Sequence, residues 1–127
     1  MATTNIITHK VADGYRLWHS KPIVSPVAGT YNVIAIPRYT LVKEVYLDVT
    51  TAFAILGSIT IGFSGNSQTA NAAYFMDEAM AEATATGTKV ALAAKYFGTL
   101  GGFITVTVVA GATTGTFSVF ADATLVR

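Results

Sequence analysis

Two histidines, His9 and His19, stand ten residues apart with Asp13 between them. Imidazole and carboxylate are ligands that a divalent metal takes, and they are also the partners that activate a nucleophilic serine. Neither chemistry is completed. The chain has no cysteine, and no third ligand stands at metal spacing from the pair. No G-x-S-x-G segment presents a nucleophile, since GSITIG and FSGNS read as strand and loop text. The carboxylates are Asp13, Glu44, Asp48, Asp77, Glu78, Glu82 and Asp122. On a strand, Glu44 and Asp48 fall on one face about 13 Å apart, wider than glycosidase pairs, and Lys or Arg are their expected cross-strand partners. Asp77, Glu78 and Glu82 lack the spacing of an EF-hand loop. The glycine-rich pieces GTLGG and AGATTG are not followed by Lys-Ser/Thr and a helix, so neither is a phosphate loop. Tyr15, Trp18, Tyr31, Tyr39 and Tyr46 offer ring faces on which a sugar can stack, although aromatics in a small β domain mostly serve core and interface. These residues specify no catalytic centre, no cofactor and no metal site, and the chain is expected not to be an enzyme.

The elements that would position any such residues are strands. Val45, Leu47 and Val49 alternate with Glu44, Tyr46, Asp48 and Thr50, and Ile59, Ile61 and Phe63 alternate with Ser58, Thr60 and Gly62. A period of two means one buried face and one wet or contact face. The inward set is expected to be core, and the outward set, with Thr50, Ser58 and Thr60, a contact face. Residues 51–57 join the two runs by a connection slightly long for a tight hairpin. Residues 15–19 read as a first short strand, and Pro22, Pro26 and Gly29 mark a loop. Residues 31–36 form a strand whose inward face is unreadable, because both sides are apolar. Pro37 ends it, and residues 38–40 turn into the long central strand. Residues 74–85 carry Phe75, Met76, Ala79, Met80 and Ala83 at spacings of three and four, which predicts a short helix or helical turn stopped by Gly87. Residues 89–97 alternate again, with Val90, Leu92, Ala94 and Tyr96 on one side. Residues 103–109 and 116–120 are strands joined by AGATTG as a hairpin loop, and residues 123–126 close the chain. The pattern predicts an all-β fold: an antiparallel β-sandwich, a single jelly roll of about eight strands with one short helix. Residues 1–12 read as an N-terminal arm ordered against a neighbour, and residues 13–127 as the β-sandwich domain.

Composition narrows the function. A chain of 127 residues buries roughly two thirds of its unfolded surface in one domain without a covalent staple. The absence of cysteine permits folding in a reducing compartment. A net charge of +1 with no Lys/Arg run argues against nucleic acid as a partner. Only 12% of the residues are charged, against roughly 25% in ordinary soluble domains. A free monomer needs a charged shell to stay dispersed, so a surface covered by partners in a permanent assembly is expected. The most apolar stretch, residues 97–112, is shorter than the roughly 20 residues of a spanning helix. It is broken by Gly98, Gly101 and Gly102, and its Thr105 and Thr107 alternate with Ile104, Val106 and Val108. That is strand text, and no membrane partner is expected. The N-terminus lacks the basic start and apolar run of a signal peptide.

The run AGTYNVIAIPRYTLVKEVYLDVTTAF, followed by GSITIGFSGN and later by ITVTVVAGATTGTFSVFAD, resembles a group of small tailed-phage virion proteins. In these a strand ends in Ile-Pro, a turn follows, and strands of the same texture lead to a polar loop. The resemblance covers roughly residues 28–122 and implies a capsid decoration or cement protein. Such a protein binds the lattice of the major capsid protein, stabilises the head and forms a homo-oligomer, a trimer being one arrangement that an icosahedral lattice offers. The implied location is the capsid surface of the virion, assembled in the host cytoplasm. The family's polar loop is often Asp-rich, whereas Phe63, Ser64, Gly65 and Asn66 stand here, so no acidic or metal role attaches to it. Lys10, Arg16, Arg38 and Lys43 are the candidate partner contacts. The alternative reading is a tail, baseplate or head-fibre component with a glycan-binding β-sandwich.

Overall fold

The computed structural model describes residues 3–5, 10–11, 17–24, 26–53, 58–78, 80–81, 83, 85–110 and 114–126. Its strand segments are β1 (Thr3–Asn5), β2 (Lys10–Val11), β3 (Leu17–His19), β4 (Ile23–Val24), β5 (Gly29–Ile36), β6 (Thr40–Thr51), β7 (Ser58–Gly65), β8 (Asn71–Met76), β9 (Gly87–Ala91), β10 (Lys95–Phe97), β11 (Gly102–Ala110) and β12 (Thr116–Leu125). They pair into two sheets. The first runs β1–β5–β11–β7–β8. The second has β6 and β12 at its centre, with β9 and β10 beyond β6, and β4, β3 and β2 beyond β12. Every pairing is antiparallel except that of β1, which lies parallel on β5.

The order of pairing is that of a jelly roll. β3 and β4 both lie along β12, as one strand interrupted at residues 21–22. Ser20 bridges that interruption: its N–H donates to Val119 O at 2.8 Å, and its Oγ accepts from Val119 N–H at 3.0 Å. β9 and β10 likewise lie along one side of β6. The strands then fall into nested pairs, β3/β4 with β12, β5 with β11, β6 with β9/β10 and β7 with β8. Successive pairs alternate between the sheets, so the chain is a paired ribbon with the β7–β8 turn at its tip, rolled into a sandwich. Most connections therefore cross from sheet to sheet. Residues 52–57 carry the chain from β6 to β7, and residues 111–115 carry it from β11 to β12, so the latter is not the hairpin loop expected of AGATTG. A loop between two alternating strands has the same local text in either case, and the sheet is chosen by pairing with strands far away in the chain.

The core lies between the sheets. Val45, Leu47, Val49, Ile59, Ile61 and Phe63 are all buried, as their alternation predicts. Ile34, Ile36, Val42, Phe97, Ile104, Val106, Val108, Phe117 and Val119 are among the other buried side chains of this core. Each side chain of this size contributes about 1.5–3 kcal/mol by leaving water. Phe53 packs on Phe117 with ring centroids 5.7 Å apart, and Phe63 meets Phe97 edge-on at 6.1 Å. β5 is unreadable in phase because it carries a bulge. Ile34 pairs with Ile104 and Asn32 with Thr105, which leaves Val33 as the extra residue; Val33 and Ile34 are both buried. A second bulge falls at Lys43, between Val42 opposite Ala123 and Glu44 opposite Asp122. Such a bulge shifts the strand phase by one residue.

The helix expected over residues 74–85 is absent among the described residues. Tyr74, Phe75 and Met76 belong to β8, where they extend the first sheet. Among the described residues one hydrogen-bonded helical turn follows, the alternative that the spacing allowed, with Ala81 N–H donating to Asp77 O at 2.9 Å and Met80 N–H donating to Asp77 Oδ1 at 2.8 Å. Residues 79, 82 and 84 lie outside the described residues. Pairing with β7 outweighs a spacing of apolar residues that also suits a strand end followed by a turn. The strand expected over residues 89–97 is two pieces, β9 and β10. Val90, Leu92 and Tyr96 are exposed there, while Ala91 and Phe97 are buried. Lys89 and Lys95, half-buried, stand opposite the inward residues Leu47 and Val42. The Lys95 ammonium lies 4.4 Å from the Phe63 ring centre and 5.1 Å from that of Tyr74.

Candidate interaction surfaces

The sandwich leaves two outer faces and one tied loop end. At the loop end, Asn66 adopts φ 61°, a conformation that Asn tolerates better than most residues. Its Oδ1 accepts from Gly98 N–H at 2.7 Å, its Nδ2 donates to Tyr96 O at 2.9 Å, and its N–H donates to Gly101 O at 2.8 Å. The β7–β8 turn is thereby fastened to the loop before β11. The turn at residues 37–39 joins the same knot, since Tyr39 N–H donates to Gly98 O at 3.1 Å and Tyr39 O accepts from Val126 N–H at 2.6 Å. Arg38 is exposed on this turn, with its guanidinium carbon 5.7 Å from the Tyr39 ring centre. Several hydrogen bonds converging on one residue restrict a loop's conformation.

The outer face of the first sheet is built from small polar residues. In register across it lie Thr3, Thr30, Thr107 and Thr60, and beside that row Asn5, Asn32, Thr105 and Gly62. Thr30 and Thr107 hydroxyls are 3.2 Å apart. The backbone of Asn71 and Ala72 lies directly over Gly62, where an added Cβ would collide with it. Asn32, Thr60 and Thr105 are buried although they point away from the core, and Thr60 Oγ1 has no hydrogen-bond partner among the described residues.

The outer face of the second sheet is different. Alternation on β6 turns Glu44, Tyr46 and Asp48 outward, and alternation on β12 turns Ser118, Phe120 and Asp122 outward. Register sets Val90, Tyr46, Phe120 and His19 in one row. The His19 and Phe120 ring centres are 5.6 Å apart. Tyr46, Asp48, Thr88 and Phe120 line an open groove of about 320 Å³. Glu44 accepts a hydrogen bond from the Tyr46 hydroxyl. Together with the negative charges of Glu44 and Asp122, this bond holds the phenol above its ordinary pKa. Asp48 Oδ1 accepts from the Thr88 hydroxyl at 3.2 Å.

Glu44 and Asp48 do share a face, as the spacing predicts, but the expected basic partners are not there. Asp122 stands directly opposite Glu44, and Ser118 and Thr88 flank Asp48. Like charges directly opposite on a sheet are destabilising. Among the described residues only hydroxyls pair with Glu44 and Asp48. The contact face expected from Thr50, Ser58 and Thr60 divides, because β6 and β7 lie in different sheets. Thr50 is on the second outer face, while Thr60 is on the first.

The four candidate contacts are not gathered into a patch. Lys10 stands opposite His19 on β2, the far edge of the second sheet. Lys43 is half-buried on the β6 bulge, and Arg38 is at the tied loop end. Arg16, like His9, Asp13 and Tyr15, lies outside the described residues. His19 Nδ1 donates to Ser20 O at 3.2 Å. Tyr31 packs against the core and donates its hydroxyl to Val27 O at 2.7 Å. Trp18 also packs against the core. Among the five aromatics weighed for stacking, Tyr46 thus presents its ring in a groove, and its partner there is Phe120, which sequence reading passed over. The signal was available: alternation with Phe117, Val119 and Ala121 turns Phe120 outward. Among the described residues no group of three or more acidic or histidine side chains is placed to hold a metal ion, and no helix is long and apolar enough to cross a membrane.

No family model matches the sequence, and no curated protein matches it. Solved structures do match. A chain of the capsid of Ralstonia phage GP4 superposes with a TM-score of 0.63 at 16% identity, covering 99% of this chain and 99% of its own length. A chain of the cyanophage Pam1 capsid asymmetric unit gives 0.62 at 14% identity, covering 93% of this chain and 90% of that one. A chain of the acidic stable capsid structure of Helicobacter pylori bacteriophage KHP30 gives 0.61 at 18% identity, covering 91% and 88%. At such identities the likeness is one of fold. Because both chains are covered almost end to end, each matched capsid chain is close to this one in size.

Proposed function

We propose that this chain is a non-enzymatic structural protein of a phage virion, a capsid decoration or cement protein that binds the lattice of the major capsid protein and stabilises the head. The observation that carries the proposal is the end-to-end likeness to capsid chains of comparable size from three different phages. The charge content of 12% supports it, because a surface that desolvates few charges loses little when it is covered. The mechanism is mechanical. Each copy bridges neighbouring coat subunits, and many weak contacts on one shell add up to firm attachment that resists internal pressure. The tied loop end and the two sheet faces are rigid surfaces that can do this without a folding step on binding. On this reading the protein resides on the capsid surface, and copies of it associate with one another there.

Binding to empty capsids assembled without the protein tests the proposal. Saturable uptake of hundreds of copies per particle, with a raised temperature of capsid rupture, is the expected result. No uptake would overturn it. The Tyr46–Phe120 groove gives the second reading, a glycan-binding tail or fibre part, one specific observation in its favour. A dozen or fewer copies per particle would select that reading.

A further inference from the structure

We infer that the outer face of the second sheet docks a basic, extended segment of the protein on which this chain assembles, with an arginine side chain seated in the groove between Tyr46 and Phe120. The inference deepens the proposed function and rests on it for the source of the segment, but not for the chemistry of the groove.

The argument is charge complementarity on a shaped surface. Asp48 lies in the groove, with Tyr46 and Phe120 as aromatic walls and Thr88 at the side. Glu44 and Asp122 stand opposite each other as the next pair on this face, with the inward Val45–Ala121 pair between them and Tyr46–Phe120. The hydroxyls of Tyr46 and Thr88 donate to Glu44 and Asp48, and Asp122 stands in register with Glu44 and Leu17. The basic residues nearest along the sheet are Lys89, between Thr88 and Val90 but in register with the inward Leu47, Lys43, on the bulge beyond Glu44 as seen from Asp48, and Lys10, at the register position beyond His19. The chain as a whole carries a net charge of +1, so the negative charge here is a local concentration.

A guanidinium answers each feature. It stacks on an aromatic face, accepts the field of the carboxylates and hydrogen-bonds them in a planar fork. It also relieves the repulsion between Glu44 and Asp122, which an uncharged sugar would leave in place. The Tyr46 hydroxyl is already engaged by Glu44, so the ring face, and not the hydroxyl, is what the groove offers. The neighbouring row residue Val90 is exposed and gives an extended backbone an apolar surface to lie on.

The test uses the isolated protein and a short peptide alternating arginine with serine, together with its counterpart in which citrulline replaces arginine. The arginine peptide is expected to shift the amide resonances of Tyr46, Asp48, Thr88 and Phe120, more strongly at low salt. Asp48→Asn combined with Asp122→Asn is expected to weaken that binding about tenfold without lowering the melting temperature. Equal binding of the citrulline peptide, or shifts confined to the first sheet, would overturn the inference. So would a neutral oligosaccharide that moves the same four amides when the arginine peptide does not. Empty capsids then separate the two levels. Undiminished uptake of the double variant refutes docking through this face and leaves the decoration role standing. Failure of the unmodified protein to bind capsids refutes that role, while the peptide result still decides the chemistry of the groove.

Discussion

The two outer faces of the sandwich stand on the same scaffold and have opposite character. Each sheet sends alternate residues into a shared core, and the remaining residues are free to differ. On the first sheet they are Thr30, Asn32, Ser58, Thr60, Thr105 and Thr107, none of them charged, and the chain's own backbone closes over Gly62. On the second sheet they are Glu44, Tyr46, Asp48, Phe120 and Asp122, arranged around an open groove. The first face is partly satisfied from within the molecule. The second holds charge that the described residues do not neutralise. Low overall charge therefore does not mean a uniform surface, and the acidic groups that remain are placed where they can be read by a partner.

Substitutions test this contrast between the faces, and the largest effects should come from the shared core. Leu47→Ala should lower stability by about 2–5 kcal/mol, whereas Tyr46→Ala, the next residue on the same strand, should cost under about 1 kcal/mol. Chemical denaturation of the two variants checks the register, and a larger loss for Tyr46→Ala would mean that β6 is turned the other way. Gly62→Ala should cost about 1–3 kcal/mol in the same measurement, because its methyl meets the Asn71–Ala72 backbone. A neutral result would show that the first face is open there.

Smaller effects should separate the faces by sign. Thr60→Val removes a buried hydroxyl that has no partner among the described residues, and should stabilise by about 1 kcal/mol. On the other face Asp122→Asn should stabilise by about 0.2–1 kcal/mol by relieving Glu44, with the gain fading in high salt as screening grows. A gain that survives high salt would point away from charge repulsion. The smallest effect is alkaline. The Tyr46 phenol is held above its ordinary pKa by Glu44, so its stabilising contribution is complete below the ordinary phenol pKa and is lost as pH rises through the raised folded value. Glu44→Gln should bring one tyrosine in an ultraviolet titration back toward the ordinary range and remove that alkaline loss.

Much of this was legible in the residues themselves. The core set of β6 and β7 follows from a period of two, and the jelly roll from the spacing of short strands. What the sequence withheld was relational. Val33 and Lys43 are each one residue too many in a strand, and nothing local marks a bulge. The passage from β6 to β7 reads the same for a hairpin as for a corner, so the division of Thr50 and Thr60 between opposite faces depends on pairing with β12 and β11. The facing of Glu44 by Asp122 likewise appears only once β12 is laid on β6. Residues 74–85 misled for another reason: apolar residues spaced by three and four also arise where a strand end runs into a single turn.

The two lysines of β9 and β10 carry one more consequence. Lys89 and Lys95 occupy inward register positions on the strands that end the second sheet beyond β6. An incoming strand adding to that margin would have to lie against inward-turned, half-buried lysines, which is a known device against uncontrolled polymerisation. Zipping of copies edge to edge into fibres along that margin would thus be disfavoured.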